Sequence, residues 1–291
     1  MGVGGLQAAV KTGLSVKGKR ILLAGSGPLL LAVADNLQSK GAINQGVFEQ
    51  APWEKVRRFG IQTAIQYGKS LQAIQLMSKV GKHLRYGQWV TNVDQGIASI
   101  SDGVRIQNMK FDFAGVAFGL IPNLELPTLL NCEIQNGFVQ TDRLMRTSHP
   151  RILAAGEATS IGGVDAALAE GELAAWAALE LDPPQSLVQK AQKWRSYARN
   201  LADAYALRPE IKKLADSETI LCRCEQVQYG SIEARDSFKD AKINHRIGMG
   251  WCQGRICGAA CQHLFDWEAP SIRPPLFPAP ARRYAEILEN D

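Results

Sequence analysis

The sequence predicts an α/β fold followed by a small cysteine-bearing unit, and three observations carry that expectation. A short apolar run, Arg20–Ala24, meets a glycine turn and then an apolar-rich segment reaching Ser39. A second run, Arg151-Ile-Leu-Ala-Ala, meets Gly156 and leads to a helical segment from Val164 to Glu180. Four cysteines in two close pairs lie near the C-terminus. Strand, glycine turn and helix, recurring along a chain, is the pattern of α/β proteins.

Between these landmarks the elements follow in order. Gly46–Phe48 reads as a second short strand ending at Glu49. From Gln88 to Lys110 apolar and polar residues alternate, with Ser101-Asp102-Gly103 between Ile97–Ile100 and Val104–Gln107, which is a hairpin signal within a small β-meander. Phe113–Phe118 is a buried-strand candidate closing on Gly119, and Ile121-Pro122-Asn123 begins a loop. Asp182-Pro183-Pro184 breaks the chain, Ser186–Ala206 and Pro209–Leu214 read as connecting helices, and a Pro-rich stretch at Pro270–Pro280 is expected to drape over a surface.

Composition narrows the class. The 291 residues suffice for two or three compact units, and 46% apolar with 21% charged residues is ordinary for a globular protein. The net charge of +5 is spread without basic runs, so nucleic acid is not expected as a partner. The longest apolar stretches are interrupted too early for a transmembrane helix, and Met1-Gly-Val-Gly-Gly-Leu-Gln lacks the regions of a signal peptide. A cytoplasmic chain is expected, in which six cysteines favour metal or redox chemistry over disulfides.

Two motifs carry chemistry. Gly25-x-Gly27-x-x-Leu30, after a strand and before a helix, is a dinucleotide fingerprint with its third glycine replaced. Gly25 makes the turn, Gly27 lets a pyrophosphate approach, and the helix start at Pro28 and Leu29 offers the phosphates its N–H end. Glu49, at the end of the next strand, is placed for ribose hydroxyls, which favours NAD(H) over NADP; an α/β turn without ligand is the other reading. Cys222-Arg-Cys224 and Cys252-Gln-Gly-Arg-Ile-Cys257 form a CxC and a Cx4C pair separated by 27 residues. Two thiolates per iron is what a [2Fe–2S] cluster needs, and Gly248, Gly250, Gly254 and Gly258 free backbone N–H groups to approach the sulfurs. A zinc site, more often built on Cx2C pairs, and plain buried cysteines are the other readings. Cys132 and Cys261 read as core residues.

Leu221-Cys-Arg-Cys-Glu-Gln-Val227 and Gly248-Met-Gly-Trp-Cys-Gln-Gly-Arg-Ile-Cys-Gly258 resemble the bacterioferritin-associated-ferredoxin-like [2Fe–2S] domain in the FAD-containing subunit of opine oxidases and of hydrogen cyanide synthase. Gly25-Ser-Gly-Pro-Leu-Leu-Leu, Phe118-Gly-Leu-Ile-Pro-Asn123 and the stretch Ala155–Ala167 resemble the same family. The resemblance implies a Rossmann-like FAD/NAD(P)-binding fold, truncated at its N-terminus, followed by a small helical [2Fe–2S] domain. Its domain boundaries would be 1–17 (remnant of a flavin domain), 18–110 (NAD(P)-binding), 111–182 (C-terminal part of the FAD/NAD(P) fold), 183–215 (helical linker), 216–268 (cluster domain) and 269–291 (tail). It further implies that Gly156 and Glu157 contact the ribityl part of FAD and that Gly119 abuts the nicotinamide nucleotide. The family's first glycine motif, for the FAD pyrophosphate, has no counterpart here, so FAD is not expected to stay on the isolated chain, and a separate chain would supply that half. The implied activity is electron transfer within a complex oxidising an amine or amino-acid-derived substrate. The implied partners are a substrate-oxidising flavoprotein subunit plus a small ferredoxin-like subunit. A cluster-carrying adaptor without turnover, or a truncated gene product lacking FAD, are the alternatives.

Overall fold

The computed structural model describes residues 1–67, 77–232, 237–268, 272–274, 276 and 280–288. The chain forms two compact units, Met1–Leu120 with Lys193–Leu214, and Ile121–Gln192 with Ala215–Asp291.

The first unit is built on a parallel sheet whose strands are β1 (Arg20–Gly25), β2 (Ile43–Glu49), β3 (Leu84–Tyr86) and β7 (Phe113–Ala117), in the order β3-β2-β1-β7. The apolar run of β1 explains its central place, because side chains alternate between faces. Ile21 and Leu23 join Val3, Leu6 and Val10 of helix α1 (Val3–Lys11) and Leu30, Val33 and Leu37 of α2 (Leu29–Ser39) in one core. Leu22 and Ala24 point the other way, with Phe48, toward Val90, Ala98 and Ile100 of an antiparallel meander, β4 (Trp89–Asp94), β5 (Ile97–Ser101) and β6 (Ile106–Lys110). The expected hairpin turn is present, with Asp102 Oδ1 accepting from the N–H groups of Val104 and Arg105. Residues 1–11 are integral to this unit: the Met1 ammonium donates to Ala114 O at 3.0 Å, and Gly2 bridges Val116.

Helix α3 (Trp53–Tyr67) follows β2 in the same unit and is an element that the sequence pattern does not announce. Its Phe59 meets Tyr197 and Tyr205, with ring centroids 5.5 and 5.9 Å apart.

The second unit contains a two-stranded hairpin, β8 (Ile134–Gln135) and β9 (Phe138–Val139). Its turn residues Asn136 and Gly137 both have positive φ, 52° and 78°, as a type I′ turn requires. Helix α4 (Val164–Ala178) is next; α5 (Gln185–Ala204) then begins here and ends in the first unit. The cysteine region adds β10 (Ile220–Cys222), β11 (Val227–Gln228), α6 (Phe238–His245) and α7 (Cys257–Phe265) around a core of Cys222, Val227, Ile232, Phe238, Ile247 and Cys257. Ser237 opens α6 with a reciprocal capping box to Asp240.

Several sequence expectations are corrected. Arg151–Ala155 is not a strand: Leu153 makes only an isolated bridge to Arg146, because Ala154 N–H and Ile152 O pair locally with Met145 and Thr147. Helix α4 stops at Ala178, where Glu180 takes φ 56° and the Leu181 N–H turns back to Trp176 O. Helix α5 stops at Ala204, short of Ala206, and Pro209–Lys213 is a 3₁₀ turn. The Pro-rich stretch 270–280 falls largely outside the described residues. Among those residues no helix is long and apolar enough to cross a membrane.

Candidate functional site

The glycine turn lies where the parallel strands end. Gly25, Glu49, Tyr86 and Ala117 stand in register at their C-terminal ends. Gly25 has φ 141°, and a Cβ there would stand 1.7 Å from Ala117 O, so no other residue fits this crossing. Gly27, at φ 105°, turns the chain toward α2. Pro28 carries no N–H, and Leu29 opens the helix with its side chain partly exposed.

Glu49 does not face an open cleft. It is 3% exposed, and its carboxylate accepts from Gly27 N–H at 2.7 Å and Ala51 N–H at 2.8 Å. The Ser26 hydroxyl lies 3.2 Å from Glu49 Oε1 and 2.9 Å from Tyr205 O, donating to one at a time, while it accepts from Gln50 Nε2. Burial pushes the Glu49 carboxyl up to about 7, against the pull of the Ala51 and Gly27 N–H groups and the Ser26 hydroxyl. Burial, and then the Glu49 charge, also raises the Tyr205 and Tyr86 hydroxyls. Gly119, beyond the end of β7, has φ 124° and open space where a Cβ would stand.

In the second unit, Gly156 heads a 3₁₀ turn before α4, and its N–H donates to Glu170 Oε2 at 2.9 Å. The Thr159 hydroxyl donates to the same oxygen at 2.6 Å, which ties the turn to α4 through a fully buried carboxylate. Glu157 is exposed. Glu170 carries no signal in the sequence, because a Glu inside an Ala-rich helical stretch reads as a solvent-facing position.

The four paired cysteines come together in the same unit. Cys224 and Cys252 place their sulfurs 3.8 Å apart on the outer side. Cys222 and Cys257 are buried neighbours in one core cluster, close enough that Cys222 opposes ionisation of the Cys257 thiol. The close approach of the two loops depends on Gly250, where a Cβ would stand 2.2 Å from Cys224 Cβ. Backbone N–H groups of Ile256, Gly254 and Arg255 point at the Cys252 sulfur. Burial opposes ionisation of that thiol, but these donors and Cys224 outweigh it, so its pKa is lowered. Burial and the neighbouring Cys222 push Cys257 up to about 12, and the same two causes push Cys261 up to about 12. Cys261 is 0% exposed on α7, and Cys132 is buried away from this group, its sulfur 3.7 Å from the Thr147 hydroxyl. Among the described residues no three His, Cys, Asp or Glu side chains are grouped to hold a metal ion; the arrangement is one of sulfur pairs.

Both units lie within a stretch that is similar to known proteins. The family model described as pyridine nucleotide-disulphide oxidoreductase matches residues 4–171. Hydrogen cyanide synthase subunit HcnB of Pseudomonas protegens is 26% identical over 89% of this chain and 63% of its own length. An opine oxidase subunit of Rhizobium meliloti strain 1021 is 29% identical over 99% of this chain and 71% of its own. The chain thus spans less than two thirds of the first relative's length. Thioredoxin reductase of T. acidophilum superposes with a TM-score of 0.40 at 17% identity, over 64% of this chain and 53% of that one.

Proposed function

The chain belongs to the pyridine nucleotide-disulphide oxidoreductase family, and from that premise we propose that it is an electron-transfer subunit of a multi-subunit oxidoreductase, with a [2Fe–2S] cluster held by Cys222, Cys224, Cys252 and Cys257. The observation that carries this reading is the pairing of those four thiols, Cys224 with Cys252 and Cys222 with Cys257, across two loops that Gly250 lets approach. A [2Fe–2S] cluster takes two thiolates at each of two irons, which suits two sulfur pairs better than it suits one tetrahedral ion. N–H groups from Gly254, Arg255 and Ile256 at the Cys252 sulfur would stabilise the extra charge of a reduced state. When bound, such a cluster supplies one-electron transfer.

Members of this family bind FAD and a pyridine nucleotide. The two relatives are named as subunits, which supports a complex; in the proposed one a partner flavoprotein removes electrons from an amine or amino-acid-derived substrate. A small ferredoxin-like protein, and a chain completing the FAD site, are the further partners this reading calls for. A second reading, a cluster-carrying adaptor without nucleotide turnover, is favoured by one observation: the Glu49 carboxylate is engaged by the chain's own N–H groups.

The test is iron, sulfide and visible and electron-paramagnetic-resonance spectra of the purified chain, with serine at each cysteine in turn. Loss of the cluster signal is expected for Cys222→Ser, Cys224→Ser, Cys252→Ser and Cys257→Ser, and its retention for Cys261→Ser and Cys132→Ser. A colourless, iron-free protein would sink the proposal, as would loss at Cys261 with retention at Cys257.

A further inference from the structure

The C-terminal edge of the parallel sheet is covered by the chain's own backbone. After α5 ends at Ala204, the segment Tyr205-Ala206-Leu207-Arg208 joins the residues that follow β1 and β2. The Ser26 hydroxyl, in the middle of the glycine turn, reaches Tyr205 O at 2.9 Å. Gln50, the residue after Glu49, holds the segment from both ends. Its Nε2 donates to Ala206 O at 3.1 Å, its Oε1 accepts from Arg208 N–H at 3.0 Å, and its backbone carbonyl accepts from Arg208 Nη1 at 3.4 Å. The Arg208 guanidinium lies 3.7 Å above the Trp89 ring and pairs with Glu210 at 3.1 Å. The Tyr205 ring is packed edge-on against Phe59.

The groups that a dinucleotide needs at this turn lie beneath the segment and are engaged with one another. At a turn of this kind the adenosine ribose lies on the carboxylate ending the second strand, and the pyrophosphate lies on the glycine N–H groups and the helix start. Here the Glu49 carboxylate is 3% exposed and accepts from two backbone N–H groups, with the Ser26 hydroxyl against it. The Gly27 N–H is one of those two donors, and Pro28 has none to offer. Two ribose hydroxyls would find a carboxylate already saturated on most of its acceptor sites, behind a peptide segment that is itself hydrogen-bonded. In this arrangement the residues of the glycine turn do not fit a nicotinamide dinucleotide.

We propose that Tyr205–Arg208 is an internal strap occupying the adenosine end of the glycine-turn site, so that a nicotinamide dinucleotide binds this chain only by displacing the strap. The contacts to be broken centre on Gln50 and Arg208, neither of which belongs to the glycine motif. Removing them loosens the strap and leaves Gly25, Gly27 and Glu49 intact.

The test titrates the full chain, and its Gln50→Ala and Arg208→Ala variants, with NADH and with NADPH by fluorescence. Either variant is expected to bind NADH at least about ten-fold more tightly than the unaltered chain, the worth of one or two net hydrogen bonds. Should Gln50→Ala, a buried position, fail to fold, Arg208→Ala decides alone. Hydrogen exchange supplies a second readout: in the variant, NADH is expected to speed exchange of the amides at 205–208 while slowing that at 25–29. The proposal is overturned if the unaltered chain binds as tightly as the variants, if none of the three binds, or if NADH protects 205–208. The cluster spectrum is unaffected in every case, so failure here is distinguishable from failure of the electron-transfer reading.

Discussion

Glu49 shows how far a single residue can be read. Its place at the end of the second strand, beside a glycine turn, is legible from spacing alone, because strands and turns are short-range features. Its orientation is not. Gly27 and Ala51 are near in sequence, yet the cover over Glu49 comes from residues more than 150 positions later, and no local pattern announces Tyr205 or Arg208 as neighbours. The buried carboxyl has a measurable consequence. With its pKa raised from 4.5 to about 7, the folded chain holds a proton that the unfolded chain has released across that window. The stabilisation is therefore fully present below pH 4.5 and is lost as pH rises through 7, by up to about 3 kcal/mol. Glu49→Gln removes the titration. Relative to that variant, the unaltered chain is expected to melt several degrees higher at pH 5 than it does at pH 8; parallel melting curves across this range would show that the carboxyl titrates normally. Gly25→Ala tests the neighbouring position. With φ 141° and a backbone oxygen 1.7 Å from the new methyl, it is expected to cost several kcal/mol and to leave little folded first unit. Gly27→Ala, with open space around its Cβ, loses only the positive-φ preference and is expected to be the milder of the two by circular dichroism melting.

At the scale of elements, what can be read is what carries its own signal. Strand β1, buried on both faces, gives an unbroken apolar run; the meander gives alternation and an Asp-Gly turn. Arg151–Ala155 gives the same apolar run as β1 and is not a strand, because hydrogen-bonding partners from 145–147 lie immediately before it and take its backbone groups. Helix α3 is hard to read because its exposed apolar residues, Ile61 and Ile65, blur the amphipathic period. In the cysteine region the CxC and Cx4C spacing marks the ligand candidates, and the glycines around them mark close backbone approach. Gly250 makes that reading testable. Gly250→Ala sets a methyl 2.2 Å from Cys224 Cβ, which must push the two loops apart. Iron content is expected to fall as it does for a cysteine substitution, although no sulfur has been removed. Gly60→Ala in α3, where nothing lies within 4 Å of the added carbon, is the control and is expected to stabilise its helix by about 0.5–1 kcal/mol. Full iron in Gly250→Ala would mean that the loops approach less closely when the cluster is held.

At the scale of the whole molecule, sequence order and spatial order part company. Motifs suggest consecutive segments, whereas the chain leaves the first unit at Leu120, builds half of the second, and returns for Lys193–Leu214 before the cysteine region. The returning segment includes the strap, so the part of the chain that reads as a linker is the part that covers the glycine turn. This bears on flavin. A dinucleotide's pyrophosphate is held chiefly where orphan N–H groups of a glycine turn meet the start of a helix. Among the described residues one glycine turn after a strand has that form, and its Gly27 N–H is engaged by Glu49. The other candidate, at Gly156, gives its N–H to Glu170. Hydrogen bonds from that region to a ribityl chain, at about 1 kcal/mol net each, do not replace a phosphate site. The isolated 291-residue chain is therefore expected to purify with iron and sulfide but far less than one FAD per chain, and to gain flavin only when a partner chain is present. Acid extraction followed by fluorescence counts the FAD directly. A stoichiometry near one in monomeric protein would show that Glu49 and Glu170 release those N–H groups to a ligand, and would move the flavin to one of these two turns.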